Sequence, residues 1–267
     1  MNVREIERLV REIRREHRLP DSPFRIDEVR YDEKNDKLFI IAHDRTDKSV
    51  IIGNSLVIGK LRERLGVGQV TVYSNIDLEI KRRKLELAEK AINETKLEFL
   101  LPIIEAEKRF PPREWPDVRG ELNTLVFLSF NARALVGFSK KLELPYKAVG
   151  LKYSFPKLSY EPIEGEPREL FFPDEEKLVK IAKEKGAELV LADFPFGLKW
   201  ADEIALLNPF RFLHIGFFEL KYLFGFDWPT IVDKNALIEF FVGLTYEGLM
   251  ESTDGANLIW RAWRRGR

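Results

Sequence analysis

From residue 124 onward, the chain alternates segments typical of strands with segments typical of helices. Residues 124–153 give TLVFLS as a strand, Asn131 to Leu142 as a helix and YKAVGLKYS as a second strand. A further helix ends at Gly186, and the apolar strand AELVLAD follows it and finishes at Asp193. Because strands joined through helices run parallel in one sheet, this alternation predicts an α/β domain with a parallel sheet flanked by helices.

The part of the chain before residue 110 has a different pattern. An amphipathic helix over residues 3 to 18 is followed by the segments FRIDEVRYD, KLFIIAHD and KSVIIG, with turn residues between them. This order predicts an antiparallel meander inside a smaller α+β domain. Residues 108–120, KRFPPREWPDVRG, carry three prolines and a glycine and are the predicted boundary. We therefore expect an α+β domain at 1–110 and an α/β domain at 118–267.

Composition excludes several kinds of site. The chain has no cysteine, which rules out disulfides, thiolate zinc sites and cysteine nucleophiles. Its three histidines, His17, His43 and His214, lie far apart in sequence, and we expect neither a histidine metal site nor a Ser-His-Asp triad. The 44 basic residues balance 44 acidic ones, so the whole chain is not a polycation that coats nucleic acid.

The N-terminal residues MNVREIERLVREIRREHR are charged throughout and lack the apolar core of a signal peptide. No run approaches the roughly 18 apolar residues that a membrane span needs. We expect a soluble, cytoplasmic protein without a membrane partner. The absence of cysteine and the abundance of Glu, Lys and Arg are typical of a heat-adapted source.

The turn after TLVFLS lies where doubly wound sheets bind ligands, beyond the carboxyl end of a strand. The helix behind such a turn presents free backbone N–H groups and a positive dipole end to an anion. Ser129 and Asn131 add hydrogen-bonding groups, and Arg133 adds a guanidinium that suits phosphate or carboxylate. Asp193, at the end of AELVLAD, is a candidate ligand for a metal or a ribose hydroxyl, or alternatively a cap for the following turn.

Residues 122–193 resemble the PP-loop ATPases, the ATP pyrophosphatase group with an adenine-nucleotide α-hydrolase-like (HUP-like) fold. KKLELPYKAVGL and KIAKEKGAELVLAD carry the resemblance, and Ser129 corresponds to the first serine of that family's S-G-G-x-D-S loop. The resemblance implies binding of ATP with Mg²⁺ and adenylation of RNA or a small molecule. It implies cofactor contacts from Ser129, Asn131, Arg133 and Asp193. Both glycines and the aspartate of the loop are missing here, so the phosphate loop is modified.

A second hypothesis is a Mg²⁺-dependent nuclease of the PD-(D/E)xK type. In HIGFFELKYL, Glu219 and Lys221 form an E-x-K pattern after an apolar run. In such nucleases the carboxylates bind Mg²⁺ and the lysine assists the attack of water. The partner carboxylate would be Asp193, Asp202 or Asp227.

A third hypothesis is a non-catalytic protein that binds RNA or another partner on a nucleotide-binding fold. Its candidate contacts are the basic residues Lys81, Arg82 and Arg83 on the long helix and Arg264 and Arg265 near the C-terminus. Arginine and lysine side chains contact nucleic-acid phosphates without reading sequence.

Overall fold

A computed structural model describes residues 1–109, 114–151, 158–163, 174–216, 219–220, 223 and 234–264. Several side chains in the last two helices lie outside that description. Contacts between Cα atoms divide the chain into two units: residues 1–86 with 105–115, and residues 87–104 with 116–267.

The first unit combines helices with a small sheet. Its elements are α1 (Val3–Glu16), β1 (Ile26–Asp32), β2 (Lys37–Ala42), α2 (Arg45–Ile52), α3 (Leu56–Leu65), β3 (Gln69–Ser74) and the first part of α4 (Asn75–Ile92). Helix α5 (Leu101–Lys108) supplies its second half. The side chains Ile6, Val10 and Ile13 of α1 are fully buried in the core of this unit.

The sheet of the first unit has the order β1-β2-β3. Strand β1 is antiparallel to β2, but β2 and β3 are parallel, with Lys37 opposite Gln69. The predicted antiparallel meander is therefore wrong in its third strand. KSVIIG lies in helix α2, which begins where the Asp44 side chain accepts a hydrogen bond from the Asp47 N–H at 2.8 Å. The helix ends at Gly53, whose left-handed φ of 51° favours glycine.

The second unit is built on a larger sheet. After the end of α4 and a short 3₁₀ turn (Glu98–Leu100), its elements are β4 (Thr124–Phe127), α6 (Ala132–Lys141), β5 (Tyr146–Leu151), β6 (Glu161–Ile163), α7 (Glu175–Lys185), β7 (Leu189–Leu191), β8 (Leu198–Ala201), β9 (Ile204–Leu207), α8 (Pro209–Phe212), α9 (Lys234–Tyr246) and α10 (Ser252–Arg264). No helix in the described ranges of the chain is both long enough and apolar enough to cross a membrane.

The strand order in this sheet is β6-β5-β4-β7-β9-β8, and only the β8–β9 pair is antiparallel. The predicted α/β class, with a mostly parallel sheet flanked by helices, is confirmed. The chain runs from β4 outward through β5 to β6, and then returns to the other side of β4 to form β7 and β9. The direction of winding thus reverses between β4 and β7, which makes that gap the topological switch point.

Strands β4 and β7 are covered by apolar side chains. Leu125, Val190 and Leu206 of the sheet share one buried cluster with Leu178 and Ala182 of α7. Helix α7 begins at Asp174, whose side chain accepts from the Lys177 N–H at 3.1 Å, and ends at Gly186 with a φ of 64°. These caps define both ends of α7, the helix that directly precedes β7 in the chain.

Candidate functional site

The ends of β4 and β7 bring together side chains that lie more than sixty residues apart in sequence. Ser129 and Asn131 follow β4, and Asp193 follows β7. Neighbouring parallel strands end at the same edge of a sheet, so these residues meet at the switch point. We refer to Ser129, Asn131 and Asp193 as the switch-point network.

The network is a set of hydrogen bonds centred on the Asp193 carboxylate. The Asn131 backbone N–H donates to Oδ2 at 2.7 Å, and the Asn131 side-chain amide donates to Oδ1 at 2.8 Å. The Ser129 hydroxyl also donates to Oδ2. Three of the four predicted cofactor-binding residues are therefore in direct contact. The fourth, Arg133, is half-buried in the first turn of α6 and is not among the hydrogen-bond donors to Asp193 in the described part of the chain.

All three members of the network are buried, with exposed fractions of 1% for Ser129, 4% for Asn131 and 5% for Asp193. Burial raises the pKa of the Asp193 carboxyl above its ordinary value, although hydrogen bonds from Asn131 and Ser129 act in the opposite direction. Removal from water disfavours the charged form of a carboxyl group, and here that effect outweighs the donors.

Arg211 and Glu247 extend the network, and sequence reasoning missed both. Burial lowers the pKa of the Arg211 guanidinium, while the nearby Asp193 carboxylate acts to raise it. The same guanidinium forms an ion pair with Glu247, just after α9. Arg211 thus connects the end of β7 to the region that follows α9.

A local signal for the position of Arg211 does exist. Asn208-Pro209 follows the apolar run of β9, and Asn before Pro is a common helix start. In the structure, the Asn208 side chain accepts from the N–H groups of Phe210 at 3.2 Å and Arg211 at 3.3 Å. Its amide also donates to the Phe194 carbonyl at 2.8 Å, which holds α8 beside the residue that follows Asp193.

The turn between β4 and α6 is closed by its own residues. The ring of Phe130 is 2% exposed and packs against Phe240 and Phe241 of α9, with centroid distances of 4.1 and 5.7 Å. The Ala132 N–H donates to the Ser129 carbonyl at 3.2 Å, and the Asn131 N–H is used by Asp193. Two backbone amides of this turn are therefore bonded within the protein.

The residues present do not fit the pyrophosphate of MgATP at this turn. The Asp193 carboxylate accepts from the amide of Asn131, at the N-terminus of α6, which is the position that an anion would take. In the described part of the chain, no group of three His, Asp or Glu side chains is arranged to hold a metal ion. The groups at this turn therefore do not form the phosphate cradle that the resemblance implies, and Mg²⁺ binding stays a prediction.

The predicted nuclease site is not assembled as expected. Glu219 has helical conformation rather than a place at the end of a strand, and Lys221 and Asp227 lie outside the described residues. Asp202 lies in the turn between β8 and β9, where it forms an exposed ion pair with Lys183 at 2.8 Å. The E-x-K geometry requires its carboxylate on a strand beside the metal, and Glu219 does not have that position.

The predicted RNA contact at Lys81 is also wrong. Lys81 forms an ion pair with Glu107 at 2.8 Å, and the two side chains are only 7% and 0% exposed. The Trp115 indole N–H donates to the same carboxylate at 2.6 Å. The Lys81 side chain therefore pairs with a carboxylate inside the first unit and does not form part of its surface.

The other basic candidates remain predictions. Arg82 is exposed, and Arg83 forms an exposed ion pair with Glu79 one helical turn away, at 2.9 Å. The Arg264 side chain and the whole of Arg265 lie outside the described part of the chain.

The fold and the network define a doubly wound α/β unit with a buried carboxylate at its switch point. No family model, no curated protein and no solved structure matches this chain. Membership of the PP-loop ATPases therefore stays a prediction from the sequence.

Proposed function

We propose that the second unit binds an adenine nucleotide in the crevice beyond the carboxyl ends of β4 and β7. The observation that carries the proposal is the buried switch-point network of Ser129, Asn131 and Asp193, with Arg211 beside it. Open α/β sheets bind ligands at this place in the fold.

The free-energy cost of burying the ionisable groups of the network supports a functional role. Burying an ionisable carboxyl and a guanidinium removes both from water, and such groups reduce stability unless they are paired. Apolar side chains would fill the same corner at lower cost. An ionisable group whose pKa is raised by burial, next to a specific charge partner, is a physical marker of functional sites.

The topology and the sequence resemblance support the ligand class. Without the antiparallel edge strand β8, the order β6-β5-β4-β7-β9 corresponds to the 3-2-1-4-5 winding found in dinucleotide-binding sheets. The segments that resemble PP-loop ATPases include β4, α6, β5, α7 and β7, which are the elements that form the corner. Adenylation by MgATP is not part of the proposal, because the turn does not fit the pyrophosphate.

Isothermal titration calorimetry with AMP, and with ATP in the presence and absence of Mg²⁺, tests the proposal on the full chain. We expect saturable binding of at least AMP. Asp193→Ala removes a charged hydrogen-bonding group and should weaken that binding by about tenfold or more. A complete lack of binding heat for every nucleotide up to millimolar concentration contradicts the proposal.

Asp202→Ala is the matched control, since Asp202 is an exposed aspartate in the same unit with an ordinary surface ion pair. It should bind AMP as the unmodified protein does. Equal loss in both variants would mean that Asp193 acts only through general stability, and this outcome also counts against the site.

A further inference from the structure

The solvent-facing side of helix α1 in the first unit carries a row of arginines. We refer to these residues as the arginine row: Arg4, Arg8, Arg11 and Arg15. All four are exposed, and they follow one another at intervals of four, three and four residues. At 3.6 residues per turn, these positions lie within about 60° of one another around the helix axis and extend about 16 Å along it. The row is therefore a straight, narrow stripe of positive charge.

The acidic residues of α1 lie beside the row and not within it: they are Glu5, Glu7, Glu12 and Glu16. Glu12 and Glu16 both form ion pairs with Arg64 of α3, about a quarter turn away from the row. Glu12 also lies 3.8 Å from Arg8, but these two side chains are 69% and 44% exposed for Arg8 and Glu12. Exposed pairs of this kind contribute little, so the row keeps its positive charge.

The row reduces the stability of the helix that carries it. Like charges three and four residues apart on a helix repel one another. In the described part of the chain, Arg4 and Arg15 have neither an ion pair nor a side-chain hydrogen bond that would offset this repulsion. The Arg11 guanidinium lies 4.8 Å from the centre of the Phe24 ring, a contact that leaves its charge in place. A negatively charged partner would offset the repulsion along the whole row.

The chemistry of the helix favours a phosphate backbone as that partner. Arginine binds phosphate through two parallel hydrogen bonds, which lysine does not offer. A helix that lies in a membrane surface inserts its apolar face, but Ile6, Val10 and Ile13 are fully buried in the core of the unit. Proteins that bind single strands stack bases on aromatic side chains, and α1 contains no aromatic residue. A duplex has one negative charge per about 1.7 Å of its axis, so a row of about 16 Å lies beside several phosphates.

We propose that the arginine row of α1 binds the phosphate backbone of duplex nucleic acid without reading its sequence. The net charge of the whole chain is zero, so the attraction is local to this face. The surface belongs to the first unit and does not depend on the adenine-nucleotide site proposed in the second. It also differs from the basic residues of α4 and of the C-terminus that the sequence pattern indicates.

The test is fluorescence anisotropy on the full chain with short labelled RNA and DNA duplexes and their single strands. The salt concentration is varied from about 50 to about 200 mM. We expect a duplex to bind more tightly than its single strand, with an affinity that falls as salt rises. Each phosphate contact contributes about 0.9 to the slope of log affinity against log salt, so Arg4→Gln/Arg15→Gln should reduce that slope by about two. Replacing all four arginines of the row should reduce it by about three to four.

Arg82→Gln/Arg83→Gln is the matched control, because it removes the same charge from exposed residues of α4 in the same unit. Circular dichroism establishes that each variant is folded. We expect the control to retain the slope of the unmodified protein, and an equal or larger loss there overturns the inference.

Three other results also overturn the inference. They are tighter binding of the single strand than of either duplex, no binding of either duplex at about 50 mM salt, and binding of phosphatidylserine vesicles with no binding of either duplex. Binding of the RNA duplex or of the DNA duplex supports it, provided that the affinity depends on the row. The nucleotide titrations test the proposed function separately, so failure of one does not imply failure of the other.

Discussion

A buried aspartate changes its effect on stability with pH. Burial raises the folded-state pKa of Asp193 above its ordinary value of 3.8. Over the interval between these two values, the folded protein holds a proton that the unfolded chain has released. The unfolded state binds fewer protons there, so the free energy of unfolding falls as pH rises through that interval.

Asp193→Asn should remove this pH dependence. We expect the stability of the unmodified protein, relative to the variant, to fall with rising pH by about 1.4 kcal/mol for each unit by which the pKa is raised. Urea unfolding of both proteins from about pH 4 to about pH 8 measures the difference. If the stability of the unmodified protein relative to Asp193→Asn rises with pH, the raised pKa of Asp193 is contradicted.

Asp202→Asn should give the opposite sign when the urea series is extended below about pH 4. The hydrogen bond from Lys183 holds the pKa of Asp202 below its ordinary value. The stabilisation from this carboxylate is therefore present above the ordinary pKa and is lost as pH falls through the lowered value. Because Asp202 is exposed, its effect should be small beside that of Asp193.

Lys81 and Glu107 allow a second prediction at the residue scale. Lys81→Met leaves the buried Glu107 carboxylate without its cation and should destabilise the protein by about 3 kcal/mol. Adding Glu107→Gln should recover part of that loss, because glutamine removes the unpaired charge and keeps an oxygen that accepts from the Trp115 indole. Urea unfolding measures both variants, and equal stability of Lys81→Met and the unmodified protein contradicts the buried pair.

At the scale of elements, helix α2 is the clearest case in which a sequence pattern predicted the wrong secondary structure. KSVIIG is rich in β-branched residues and predicts a strand, yet the cap at Asp44 and the left-handed Gly53 make it helical. A Cβ atom at Gly53 would lie 2.2 Å from Val57 Cγ2, so glycine is required there. The capping residues Asp44 and Gly53 indicate the helix, whereas the apolar, β-branched residues of KSVIIG favour a strand.

The cap of α2 can be tested directly. Asp44→Ala removes the acceptor for the Asp47 N–H and should destabilise the protein by about 1 kcal/mol. Thr46→Ala, an exposed change in the same first turn, is the matched control and should shift stability by less than about 0.5 kcal/mol. Comparable losses in the two variants contradict the capping role of Asp44.

Strand length decided which parts of the larger sheet were predictable. β4, β5 and β7 lie in apolar runs bordered by helices, and the alternation predicts them. β6 has three residues, one of them Pro162, and it lies at an edge of the sheet, where proline is tolerated. β8 and β9 have four residues each, too few to establish a period.

The candidate site was predictable for the same reason, up to a limit. Ser129, Asn131 and Asp193 end strands, and parallel strands end at one edge of a sheet. Arg211 in α8 acts on Asp193, and Glu247 after α9 pairs with Arg211, at sequence separations that local patterns do not encode. The burial of Phe130 beneath α9 depends on the same long-range packing.

At the scale of the whole molecule, the two units differ in one respect from the predicted domains at 1–110 and 118–267. Residues 87–104 group with the second unit, although they precede that segment in sequence. Within this stretch, Lys96 forms an ion pair with Glu188 at 3.7 Å. A Cβ atom built at Gly120 would lie 2.9 Å from the Phe99 ring and 2.4 Å from Leu144, so these residues pack closely around the glycine.

This division predicts different behaviour for two fragments of the chain. A fragment of residues 118–267 lacks Phe99 and the fully buried Leu97, and it leaves their apolar partners exposed to water. Losing one fully buried leucine and one half-buried phenylalanine costs several kcal/mol, comparable to the whole stability of a domain. We expect the fragment 87–267 to unfold cooperatively in urea and the fragment 118–267 to aggregate or to lack a cooperative transition. If the fragment 118–267 unfolds cooperatively, with the same urea midpoint as the fragment 87–267, residues 87–104 do not belong to the second unit.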